Sequence, residues 1–143
     1  MNPRELELYD KIIKTGPFKD NTGFHFEVPI GNWATSRKRI DMVTMKKNKI
    51  VAIAVKVNDW KTSLKQAYSN LFVSDYSYVA IWHKTLPNMD LNIFDELGIG
   101  LLEVNGSCEM KIEAKKSRYA DNVTKQFVKK HCESRGMISC QNS

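Results

Sequence analysis

Residues 37–66 read RKRIDMVTMKKNKIVAIAVKVNDWKTSLKQ, and this stretch decides the fold. From Arg39 to Met45 the pattern alternates, with Ile40, Met42 and Thr44 on one face and Arg39, Asp41 and Val43 on the other. Lys46-Lys47-Asn48-Lys49 is a charged turn, and asparagine tolerates the left-handed conformation such turns use. A second strand follows in KIVAIAVKV, with Val51, Ile53, Val55 and Val57 on one side and Ala52, Ala54 and Lys56 on the other. Asn58 or Asp59 then caps a helix that carries Gln66. Strand, turn, strand and helix thus bring an acid, Asp41, and a base, Lys56, to neighbouring strands, provided the hairpin register lets them share a face.

Working outward, PRELELYDKIIK has Leu6, Tyr9 and Ile13 at helical spacing, widened by Leu8 and Ile12, and predicts a helix over about residues 3 to 14 with Asn2 as cap. FHFEVPI alternates as a half-buried strand, and Pro29 suits a sheet edge. The helix after Asp59 has an apolar stripe of Trp60, Leu64, Ala67, Tyr68 and Leu71 beside a polar stripe of Ser63, Gln66 and Asn70. DYSYVAIW is a further strand, DLNIFDEL a short helix closed by Gly98, and GIGLLEV and CEMKIEA form a hairpin joined at Asn105-Gly106. The final helix is read from SRYADNVTKQFVKKHCESRG, with Tyr119, Val123 and Phe127 (Val128 beside them) inward, Lys125, Lys129, Lys130 and His131 outward, and Gly136 as its stop. The order predicts one α/β domain over residues 1–136, a mixed central sheet flanked by helices, followed by a flexible tail at 137–143.

The chain has 143 residues and a formal net charge of +6, which is compatible with a polyanionic partner. Cys108, Cys132 and Cys140 show no metal-ligand or disulfide pattern and read as free thiols. His25, His83 and His131 are too scattered for a zinc or HNH-type site. The charged N-terminus lacks an apolar signal core, and no apolar run approaches bilayer length, so a cytoplasmic protein with no membrane partner is expected.

Phosphodiester hydrolysis needs the phosphate charge neutralised and a water activated, and a divalent metal held by carboxylates supplies both. An acid on one strand and E-x-K on the next meet that need, because side chains two apart on a strand point the same way. The segments Ile40-Asp41-Met42-Val43 and Ile53-Ala54-Val55-Lys56, with the capped helix bearing Gln66 and Ala67, resemble the PD-(D/E)XK (restriction-endonuclease-like) nuclease superfamily. The resemblance spans about residues 24 to 82. It implies a restriction-endonuclease-like core and an Mg²⁺- or Mn²⁺-dependent endonuclease acting on nucleic acid, DNA in preference to RNA. Asp41 would be a metal ligand, the Val55 carbonyl would join it, Lys56 would be the catalytic lysine, and Gln66 the helix glutamine beside the site. Because cutting two strands with one site per chain is easiest with two chains, a homodimer is expected.

The departure is Ala54, which stands where the family has the E-x-K glutamate and cannot bind metal. Three accounts are open: an introduced Glu→Ala inactivation, a natural pseudonuclease that only binds, or a carboxylate that has moved in from elsewhere. The survival of Asp41, Lys56 and Gln66 favours the first. Glu27 reads either as an exposed glutamate or as a further site carboxylate. Glu5 and Glu7 read as surface residues, although a first-helix glutamate approaches the site in several related nucleases. Arg37, Lys38 and Arg39 are candidate phosphate contacts, and Trp33 packs on the domain or stacks on a base. The rivals to a nuclease are a nucleic-acid-binding module with an incomplete centre and an interaction subunit with no nucleic-acid role.

Overall fold

The computed structural model describes residues 3–21, 23–30 and 38–142, with side chains as far as residue 133. Its elements run α1 (Glu5–Thr15), β1 (Phe24–Pro29), β2 (Arg39–Lys46), β3 (Lys49–Lys56), α2 (Trp60–Asn70), β4 (Tyr76–Trp82), a 3-10 turn (His83–Asn88), α3 (Leu91–Leu97), β5 (Gly100–Asn105), β6 (Ser107–Ile112) and α4 (Asn122–Asn142). The six strands form one mixed sheet in sequence order, β1-β2-β3-β4-β5-β6. β1, β2 and β3 are antiparallel, β3, β4 and β5 parallel, and β6 returns antiparallel on β5. The chain is therefore a single mixed α/β domain, as its patterning predicts. Trp33 and Arg37 lie outside the described residues.

Strand alternation sorts the layers. Val51, Ile53 and Val55 of β3 face Leu8 and Ile12 of α1, whereas Ala52 packs towards Val128 and Cys132 of α4 and Ala54 towards Ala67 and Leu71 on the α2 side and Phe94 of α3. One face thus carries α1 and the other carries α2, α3 and α4. The two parallel crossovers explain that asymmetry: connections β3-α2-β4 and β4-α3-β5 that advance in the same direction with the same hand lay both helices on one face. Fully buried Leu8 and Ile12 each contribute on the order of 2 kcal/mol by leaving water, which holds α1 to the other face. Glycine has a clear reason at two positions. Gly98 closes α3 in the left-handed region at φ +74, and a Cβ on Gly100 would strike the Tyr78 ring and the Ala114 backbone.

Some expectations are corrected. α1 starts after Arg4, which caps without a side-chain bond, and Asn2 lies outside the described residues. Tyr68 is 44% exposed and does not belong to the core stripe of α2; Ser63, Ala67 and Asn70 are its buried residues. α4 does not stop at Gly136 but runs to Asn142, since an interior glycine costs a helix only about 1 kcal/mol. Its inward residues are Val128 and Cys132, while Tyr119, which precedes the helix, and Val123 and Phe127 are exposed. Lys125 is not on a solvated face either. Its Nζ donates to Asp75 Oδ1 at 2.9 Å, and the Asp75 side chain is 2% exposed. Lys125, Val128 and Cys132 are three and four residues apart, so the ion pair turns that face of the helix to the sheet.

Candidate functional site

The site forms where β2 and β3 part. Their paired register ends at Met42 with Ile53. At the next position Asp41 turns a carboxylate oxygen, Oδ2, to accept the Val55 N–H at 2.9 Å. In an extended strand a residue's N–H and C=O leave by the same edge, so the Val55 carbonyl also faces this gap. Lys56 follows on β3, half-buried and in electrostatic reach of Asp41. Lys56 acts on Asp41 electrostatically, but the alternation expected of β2 breaks beside Asp41, where Ile40 packs with Val43 rather than with Met42.

Glu27 comes in from the edge strand. It lies between the pairs Phe26–Met42 and Val28–Ile40, at the register position across from Asp41. Its φ of +51 is a left-handed conformation that a glutamate adopts only when surrounding structure enforces it. Gln66 comes from α2, two turns after the Asp59 cap, whose carboxylate accepts the Thr62 N–H. Glu27, Asp41, Gln66, Lys38 and Arg39, with Lys65 and Ser69, line one open cavity of about 450 Å³. The Gln66 Oε1 is buried and has no hydrogen-bond partner among the described residues. Five residues singled out by sequence thus share one cavity, although they come from β1, β2, α2 and, for Lys38, the segment just before β2.

The electrostatics add two groups. Burial pushes the Asp41 carboxyl above its ordinary range; the Val55 N–H and Lys56 pull it down; Glu27 and Glu5 push it up again, and the net result is a raised pKa. Glu5, exposed in the first turn of α1, is thus at the surface as expected and still acts on Asp41. Tyr9, one turn further on, has its hydroxyl pKa raised by burial first and then by Asp41, Glu27 and Glu5. Sequence reasoning assigned Tyr9 to the apolar stripe and missed its place here; the one available signal was its spacing of four from Glu5 on the same helix.

Ala54 is 1% exposed, packed among Ala67, Leu71 and Val79. Among the described residues no three carboxylates, imidazoles or thiols converge to hold a metal ion. Asp41, with Glu27 and Glu5 in its field, is a partial donor set, and the residues present do not complete a divalent centre. The described thiols offer no alternative chemistry: Cys108 and Cys132 are buried and free, with pKa values pushed up to about 12 and about 11 by burial.

The fold and site define a mixed α/β domain with a polar cavity at the splayed end of a β-hairpin. Compared with protein-family models and with curated proteins, the chain matches none. Among solved structures it is similar to a protein of unknown function from Silicibacter pomeroyi, with 18% sequence identity and a TM-score of 0.59, over 94% of this chain and 90% of the other. At that identity the likeness concerns the fold. Among the described residues no helix is long and apolar enough to cross a membrane.

Proposed function

We propose that this chain is a nucleic-acid-processing domain of the PD-(D/E)XK type whose hydrolytic centre is incomplete at Ala54. The observation that carries the reading is the Asp41 carboxylate, held by the Val55 N–H where β2 and β3 part, with Lys56 beside it. Asp41 and the Val55 carbonyl are two oxygens of the kind Mg²⁺ or Mn²⁺ takes, and a glutamate at position 54 would supply a third. Lys38, Arg39 and Lys65, which line the cavity, are the phosphate-facing charges. In this form the domain binds DNA and does not cut it; the intact form is a metal-dependent endonuclease that works as a homodimer.

The test is restoration. Ala54→Glu with Mg²⁺ or Mn²⁺ is expected to cut plasmid, single-stranded or branched DNA, and Asp41→Ala in that background abolishes the cutting. A variant that stays inert on all DNA and RNA substrates while binding persists refutes the endonuclease reading. That result supports the second reading, a binding domain in which alanine is the native residue, and the burial of the Ala54 methyl among apolar neighbours favours it. Gel shifts that show no binding at low salt leave only an interaction subunit.

A further inference from the structure

Three aromatic rings are exposed side by side: Tyr68 on α2, Phe72 just past the end of that helix, and Tyr119 in the segment before α4. Tyr68, Phe72 and Tyr119 are 44%, 43% and 57% exposed, with centroids 5.7 Å apart for Tyr68–Phe72 and 5.5 Å for Phe72–Tyr119. Water makes such a surface costly, and a contiguous exposed aromatic patch marks a contact site. The segment bearing Tyr119 is fixed to the end of α2. Ser117 Oγ donates to the Leu71 carbonyl at 2.5 Å and accepts the Tyr119 N–H at 3.1 Å, and the Asp121 N–H donates to the Phe72 carbonyl at 3.2 Å. The platform is therefore built before anything binds, which lowers the entropy cost of binding.

Charge brackets the rings. At one end Lys65 and Ser69, the near neighbours of Tyr68 on α2, line the Asp41 cavity. At the other end Lys115, Lys116 and Arg118 line a second cavity, of about 200 Å³, that Tyr119 itself borders. Residues 60–74 contain no acid, and neither do residues 114–120. Of the nearby carboxylates, Asp95 pairs with Lys115 at 3.9 Å and Asp121 caps the start of α4, while Glu96 lines the second cavity beside its three cations. Among the described residues Lys65, Lys116 and Arg118 make no ion pair.

Cations at both ends of an aromatic run match the alternating phosphates and bases of an unpaired strand, whose bases have free faces to stack, whereas duplex bases are already stacked. We infer that Tyr68, Phe72 and Tyr119 form a stacking track for single-stranded DNA, running from the Lys115–Arg118 segment towards the Asp41 cavity. The choice of DNA rests on the proposed function; the preference for an unpaired strand rests on the rings and charges alone.

The test is fluorescence anisotropy with a labelled oligothymidylate, the same length of duplex DNA, and an oligouridylate, using the full chain. Expected are tighter binding of the oligothymidylate than of the other two, and on the order of tenfold weaker single-strand binding in Phe72→Ala and in Tyr119→Ala. Duplex binding should not change, and Phe72→Trp should retain affinity. Lys116→Glu with Arg118→Glu should reduce the slope of log affinity against log salt by about 0.7 for each phosphate no longer neutralised. Melting curves separate a misfolded variant from a binding-defective one, and all three rings are exposed enough for the variants to fold. Unchanged single-strand affinity in folded alanine variants overturns the inference, as does tighter binding of the oligouridylate. A wild-type dimer that Phe72→Ala dissociates in sedimentation also overturns it, because the patch is then the face that meets a second copy. The outcomes are separable from those of the proposed function. If Ala54→Glu cuts DNA while the ring variants bind normally, the track fails alone; if Ala54→Glu is inert while the ring variants lose single-strand binding, the track stands alone.

Discussion

Asp41 bears its charge in an unfavourable place, half-buried and facing Glu27 and Glu5, with Lys56 and one backbone N–H as compensation. Its folded pKa lies above the unfolded value, so the folded state keeps the proton longer, and stability falls as pH rises from about 3.9 through the folded pKa. Asp41→Asn keeps an oxygen for the Val55 N–H and removes the charge. It should therefore raise the melting temperature at pH 7, with the gain shrinking as pH is lowered towards 4; a lower melting temperature at pH 7 contradicts this. Ala54 makes the opposite case. Its 1% exposure leaves little room, so Ala54→Glu should destabilise the metal-free protein by about 1–3 kcal/mol. Millimolar Mg²⁺ or Mn²⁺ should then raise the melting temperature of Ala54→Glu and leave the parent chain unmoved. Equal shifts in both would show that position 54 has no part in binding the ion.

Among the elements, α4 shows how one distant residue sets the orientation of a helix. It has two apolar stripes, Val123 with Phe127 and Val128 with Cys132, and periodicity gives no reason to choose between them. The choice is made by Asp75, fifty residues earlier, which accepts both the Ile50 N–H at 2.8 Å and the Lys125 ammonium at 2.9 Å. Burial pushes the Asp75 carboxyl up, but the Ile50 N–H and Lys125 more than offset it, and its pKa is lowered. Its stabilisation is thus present above the unfolded value of about 3.9 and is lost as pH falls through the folded value. Asp75→Ala strands a backbone N–H and a lysine, and should cost about 3–5 kcal/mol in urea denaturation at pH 7. A loss under about 1 kcal/mol would mean that α4 is held by Val128 and Cys132 alone. The expectation of a Tyr119-Val123-Phe127 inward face failed because such a partner is invisible to helical spacing.

At the scale of the molecule, a single sheet carries both layers, and each strand from β2 to β5 contributes to packing on both faces. Unfolding one layer exposes the other face's support, so the domain should melt as one cooperative unit. Tryptophan fluorescence and far-ultraviolet circular dichroism should give coincident midpoints in guanidinium chloride; separated transitions would mean that the α1 layer and the α2-α3-α4 layer unfold independently. The same sheet assembles the cavity. Glu27, Asp41 and Gln66 lie on β1, β2 and α2 and meet only because the hairpin register and the β3-α2 connection bring them together.

What the sequence determined by itself was local: period-two alternation in β3, the Asn48 turn, the Asp59 cap, the Asn105-Gly106 hairpin and the Gly98 stop. These signals are held in neighbouring residues, and from them the element order and the mixed α/β class were legible. The tertiary structure decided what depends on partners far along the chain: the inward face of α4, the exposure of Tyr68, the approach of Glu5 and Tyr9 to Asp41, and the left-handed backbone at Glu27. The physical reason is that periodicity records which residues avoid water, whereas charge, ring contacts and backbone strain depend on groups that only folding brings within reach.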